Sequence, residues 1–167
     1  QPARGAVLRV LAAAAQERGS RLSEADELAH RALEAARKAG DRRIEGGAIQ
    51  IVAHVRMVQG RREETEAALR EVLAIDRETG DRVGEGTSLY NMAILFESTG
   101  RLAEAENAYA EALAVRRQAG SPVVVGKCLQ GLAGVCWQTG RVRRAEELFE
   151  EALALVRDVG YRVSEAN

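Results

Sequence analysis

Glycine falls at Gly40, Gly80, Gly120 and Gly160, a strict forty-residue period, and again halfway between at Gly60, Gly100 and Gly140. Such self-similarity predicts stacked copies of one supersecondary unit rather than one closed core. Other positions keep the same beat. Arg61, Arg101 and Arg141 follow the midway glycines, and Thr65-Glu66, Ala105-Glu106 and Ala145-Glu146 come four residues later. Small–apolar pairs recur at Ala32-Leu33, Val72-Leu73, Ala112-Leu113 and Ala152-Leu153, and the first unit carries the run from Ser20-Arg21 to Ala25-Asp26. Residues 101–120 and 141–160 are identical at nine of twenty positions.

Each half-unit holds about 17 residues, the length of an ordinary helix. Leu102, Ala105, Tyr109, Ala112, Leu113 and Val115 follow the i, i+3, i+4, i+7 spacing of a helix face, as do Leu89, Met92, Ala93 and Phe96. Strict alternation, the strand signal, is missing, and the chain has only two prolines. The ends agree. Asp41, Asp81 and Ser121-Pro122 stand where N-terminal caps belong. Glu63, Glu64 and Glu104 fall in first turns, and Lys38, Arg77, Arg117 and Arg157 in last turns, each matching the helix dipole. Gly40, Gly80, Gly120 and Gly160 read as left-handed caps. The predicted helices are 4–18 and 22–39, 43–59 and 62–79, 83–99 and 102–119, 123–139 and 142–159. They form four antiparallel pairs in one domain spanning 1–167, with repeats at 4–40, 41–80, 81–120 and 121–160. Residues 161–167 mirror Asp81–Thr87 and read as the start of a truncated fifth repeat. A chain that opens on Gln1-Pro2 reads as a piece of a longer protein.

Charge and motif content narrow the function. The 24 basic and 25 acidic residues nearly cancel, so neither nucleic acid nor an anionic membrane is an expected partner. No apolar run reaches the roughly 20 residues of a membrane span. Cys128 and Cys136 are eight residues apart, about 12 Å of rise on one helix, too far for a disulfide. They read as small buried apolar side chains, in keeping with a cytoplasmic protein. His30 and His54 lack ligand spacing to either cysteine, so no metal site is expected. There is no P-loop run, no Gly-x-Ser-x-Gly and no His-Glu-x-x-His, so catalysis and cofactors are not expected. Acids such as Glu66 stand four residues from an arginine, here Arg70, as ordinary support on a solvated helix face.

The residue pattern selects among helical repeats. Unit three reads Leu89, Met92, Ala93, Phe96, Gly100, Ala105, Tyr109, Ala112, and unit four reads Leu129, Leu132, Ala133, Cys136, Gly140, Ala145, Phe149, Ala152. This large–small series around a glycine turn resembles the tetratricopeptide signature. The forty-residue length, with Gly-Asp-Arg at 40–42 and 80–82, resembles the lengthened subtype found in polarity adaptors, kinesin light chains and bacterial regulators. The resemblance implies an all-α, right-handed α-solenoid of helix-turn-helix repeats, with the first helix of each pair lining a concave groove. Unit two departs from the pattern: Arg56 takes an aromatic slot, Thr65 a small slot and Leu69 the second aromatic slot. Arg56 is expected to snorkel toward a nearby acid. In unit one Gly19-Ser20 adds a residue to the turn, and Leu8, Leu11, Ala12 and Ala15 fill the first-helix slots.

Helical spacing then assigns the groove-facing side chains: Arg9; Gln50, His54 and Met57; Tyr90, Asn91, Ile94 and Glu97; Lys127, Gln130 and Trp137. The core slots are other residues, so this set reads as free of packing duty. It holds the only Trp, and large amphipathic side chains are what peptide-binding hot spots use. The expected partner is therefore a protein, through a peptide segment. Asn91 and Lys127 match two positions of the carboxylate clamp of tetratricopeptide co-chaperones, but Gly47, Ile51 and Gly131 occupy the others, so capture of a chaperone tail is not expected. A second reading is the partner- or ligand-sensing segment of a larger bacterial signalling ATPase or transcription regulator, a source in keeping with Ala, Arg and Gly richness. A third is a plain spacer. Terminal repeats with uncovered faces offer a route to homo-oligomers.

Overall fold

Gly40, Gly60, Gly80, Gly100 and Gly140 take left-handed backbone angles, with φ between 67° and 76°. An L side chain there presses its Cβ toward the next carbonyl at about 1–2 kcal/mol. Glycine at these five positions lets one helix end and the chain reverse. The computed structural model describes residues 22–119 and 122–165. They form α1 (Leu22–Ala39), α2 (Arg42–Val58), α3 (Arg62–Thr79), α4 (Arg82–Ser98), α5 (Leu102–Gln118), α6 (Pro122–Gln138) and α7 (Val142–Glu165), and the described residues contain no strand. The helix expected over 4–18, with Arg9, lies outside the described residues, as do Gly120 and Ser121.

The two kinds of helix start differently. Before α2, Asp41 Oδ1 accepts from the Ile44 amide at 3.1 Å, and before α4, Asp81 Oδ1 accepts from Gly84 at 2.8 Å. These are side-chain caps. Before α3 and α5 the cap position holds Arg61 and Arg101, with no side-chain cap bond. Each guanidinium instead takes the carboxylate three residues on: Arg61 Nε donates to Glu64 and Arg101 Nε to Glu104, both at 2.6 Å. At the next repeat Arg144 stands where the glutamate would be, and Arg141 turns to Glu106 with two bonds of 2.7 Å. The recurring arginine is thus a helix-start anchor whose partner changes with the sequence.

The chain divides into two compact units, Gln1–Gly84 and Glu85–Asn167, and the division falls inside α4 rather than in a linker. In the first unit α2 packs on α1 and α3. Ala29, Ala32, Ala48, Ile51, Val52 and Val55 form its core cluster. An ion network binds the same three helices: Arg37 reaches Glu45 at 2.9 Å and Glu71 at 2.8 Å, while Arg42 reaches Glu45 at 2.6 Å and Glu78 at 2.7 Å. The hydrogen bond from Arg37 holds the buried Glu45 carboxyl below its ordinary range. Arg56 behaves as its register predicts, largely covered with Nε 3.8 Å from Glu64. Thr65 is buried with its hydroxyl donating to the Arg61 carbonyl at 2.8 Å, and Leu69 fills the aromatic slot.

In the second unit α6 packs on α5 and α7. The small slots Ala105, Ala112, Ala145 and Ala152 are all buried, beside Leu89, Phe96, Tyr109 and Leu129. Arg117 of α5 pairs with Glu151 of α7, the same register as Arg37 with Glu71 two repeats earlier.

Three expectations fail near the end of the chain. Gly160 is not a cap, and Arg157 is not in a last turn: α7 runs through both to Glu165. Gly40 and Gly80 are followed by an aspartate that starts the next helix, whereas Gly160 is followed by Tyr161. A lone glycine inside a helix costs only about 1 kcal/mol, too little to stop it without such a cap. Phe149 is also not a core residue: it is 45% exposed, and Leu153 is 48% exposed. Their counterparts in α5, Tyr109 and Leu113, are buried. The ring of Tyr109 lies against Gly131 of α6, the helix that follows α5.

Candidate functional site

The predicted site residues within the described chain lie on α2, α4 and α6, the first helix of each pair. On α2, His54 is exposed, and Gln50 and Met57 are half-buried. On α4, Tyr90, Asn91, Ile94 and Glu97 are half-buried, and on α6 Lys127, Gln130 and Trp137 are exposed. Trp137 shows 60% of its surface, more than any other described aromatic.

The best-defined part of this surface lies within the second unit, between α4 and α6. Tyr90, Ile94 and Glu97 share one face of α4 at i, i+4, i+7, and Lys127, Gly131, Gly134 and Gln138 share one face of α6 in the same way. Tyr109, from α5, fills the floor. Its ring lies so close to Gly131 that a Cβ there would stand 2.4 Å from the ring, so only glycine fits. Tyr90 meets Tyr109 edge-on, centroids 5.8 Å apart. Tyr109 Oη donates to Glu97 Oε2 at 2.9 Å, and Gln138 Nε2 donates to Glu97 Oε1 at 2.7 Å. Burial raises the phenol pKa of both tyrosines, reinforced at Tyr109 by the hydrogen bond to Glu97, so both stay neutral donors. Burial also pushes the Cys128 thiol up to about 11, which leaves it protonated and a poor nucleophile at neutral pH.

This geometry corrects one expectation. Tyr90 and Glu97 are not free of packing duty, because Tyr90 braces Tyr109 and Glu97 ties α4 to α5 and α6. Sequence reasoning missed Gln138 and assigned Tyr109 to the core alone. The available signal was the pairing of a large residue at 109 with glycine at 131. Ile51, weighed as a clamp position, is a core residue.

Among the described residues no group of three or more His, Cys, Asp or Glu could hold a metal, and no helix is long and apolar enough to cross a membrane.

Comparison with known proteins gives a consistent result. A family model described as Tetratricopeptide repeat matches residues 47–118, and a second of the same description matches residues 129–162. No curated protein matches the sequence. Among solved structures, the chain is similar to aspartyl phosphate phosphatase F from Bacillus subtilis, with a TM-score of 0.87 at 12% identity over 95% of this chain and 41% of that one. It is similar to a Rap protein complexed with Competence and Sporulation Factor, with a TM-score of 0.76 at 18% identity over 81% of this chain and 38% of that one. It is also similar to the TPR-like repeats of a Podosopora anserina kinesin light chain, with a TM-score of 0.74 at 18% identity over 95% of this chain and 77% of that one. The chain thus spans less than half the length of the phosphatase and Rap structures. At these identities the likeness establishes the fold, an all-α repeat solenoid.

Proposed function

Because the chain belongs to the tetratricopeptide repeat family, we propose that it is a protein-interaction module that binds a peptide segment of a partner along the exposed face of its first helices. The observation that carries this reading is a contrast between registers. Positions 65, 105 and 145 hold Thr, Ala and Ala, all fully buried. Positions 57, 97 and 137 hold Met57, Glu97 and Trp137, three unrelated chemistries that all reach solvent. The fold fixes the first set, and in this reading the second, Glu97's packing contacts aside, is open to recognition. In this reading Gln50 and His54 join Met57 on α2, and Asn91, Ile94, Lys127 and Gln130 join Glu97 and Trp137 on α4 and α6. Such a mix of apolar, polar and oppositely charged groups suits an amphipathic peptide better than a uniformly charged polymer. The role needs no catalytic group and no cofactor, and it suits a bacterial cytoplasmic protein.

The test is selection of peptides from a phage-displayed random dodecapeptide library on the immobilised chain, followed by affinity measurement on wild type and Trp137→Ala. Exposed as it is, Trp137 can be removed with little effect on folding. If it is a hot spot, its loss weakens the selected peptides by about 2 kcal/mol, some thirtyfold. Peptides that bind both proteins equally would place recognition elsewhere.

A second reading, sensing within a larger regulator, draws on the Rap structure complexed with Competence and Sporulation Factor. It uses the same surface and differs in what flanks it.

A further inference from the structure

We infer that Glu97 is the receptor for a cationic side chain, Lys or Arg, of the bound peptide, an inference that rests on the peptide-binding reading above. Three other covered acids have an arginine. Glu45 has Arg37 and Arg42, Glu66 has Arg70, and Glu106 has Arg141. Glu97 differs from these three. Its two oxygens each take one neutral donor, Tyr109 Oη and Gln138 Nε2, and it forms no ion pair among the described residues. Each carboxylate oxygen has a second lone pair, so the donors orient the group and leave it able to accept more. A half-buried site screens charge less than open water does.

The approach to Glu97 is open. Gly134 stands beside it on α6, and a Cβ there would meet only Glu97 Oε1, at 3.7 Å. Next to Gln138, the exposed Trp137 can cover the aliphatic stem of a Lys or stack on a guanidinium. Exposed Lys127 lies seven residues before Gly134, about 10 Å along α6. The face therefore has a negative end at Glu97 and a positive end at Lys127, which sets the direction of the peptide: its basic residue at the Glu97 end.

The experiment takes a peptide selected on the wild-type chain and sensitive to Trp137→Ala. Its basic residue is replaced by norleucine, and both peptides are titrated against wild type and Glu97→Gln. Glutamine keeps an acceptor for Tyr109 and removes the charge. On wild type, norleucine should weaken binding about tenfold or more, the scale of a hydrogen bond to a charged group. On Glu97→Gln the two peptides should bind alike. The wild-type comparison requires no variant to fold. Gln138→Ala, which retains the charge, should retain the preference for the basic peptide. Selected peptides that need Trp137 but lack a basic residue, or lose nothing to norleucine, would overturn the role of Glu97 and leave the peptide-binding reading standing. If no selected peptide senses Trp137→Ala, that reading fails and the role of Glu97 falls with it.

Discussion

Gly131 and Gly134 are three residues apart on α6, and the structure gives them opposite roles. A Cβ at 131 would enter the Tyr109 ring at 2.4 Å, a collision with a side chain that is itself braced by Tyr90 and bonded to Glu97. A Cβ at 134 would find ordinary contact at 3.7 Å. Gly131→Ala should therefore destabilise the chain by about 1–3 kcal/mol through overpacking. Gly134→Ala should stabilise it by up to about 1 kcal/mol through helix propensity. Urea midpoints of the two variants check this, and equal shifts would show that Tyr109 does not occupy the floor. Single residues of this kind were only partly legible in the sequence. Ala105, Ala112, Ala145 and Ala152 could be placed in the core because their register repeats. The Tyr109–Glu97–Gln138 link could not, because it joins three helices and recurs nowhere else among the described residues.

Among elements, the helices were legible because capping, periodicity and propensity agree at nearly every boundary. Among the described residues they disagree at Gly160, where no cap follows and the helix runs on. Phe149 shows another limit: its register is identical to that of Tyr109, and only tertiary packing decides that one is covered and the other exposed. The ion network joining α1, α2 and α3 was legible only as separate charges on helix faces. It carries a pH dependence. Hydrogen bonds, from Arg37 to Glu45, from Arg42 to Glu78 and from Arg141 to Glu106, hold three folded carboxyls below their ordinary range. A depressed folded pKa adds stability above the unfolded value, and that stability is lost as pH falls through the folded one. Wild type should thus lose stability between about pH 5 and the lower folded values. Glu45→Gln should be less stable at neutral pH and fall less steeply over the same range. Denaturant midpoints across that range measure it, and parallel curves for the two proteins would deny Glu45 its place in the network.

At the scale of the whole molecule, the fold follows from one repeated unit, whereas the proposed recognition draws on positions at which the units differ. Self-similarity made the solenoid readable. The same logic picks out Met57, Glu97 and Trp137, which share a register and have nothing else in common. The chain contains one tryptophan, and it stands on the proposed binding face with 60% of its surface exposed. Its fluorescence therefore reports on that face alone. The most direct test of peptide binding is to titrate the chain with a library-selected peptide that lacks tryptophan and to follow Trp137 emission, with fluorescence anisotropy of the labelled peptide as an independent measure of binding. A saturable blue shift that tracks the anisotropy curve is the predicted result. Full binding by anisotropy with Trp137 emission unchanged would contradict it.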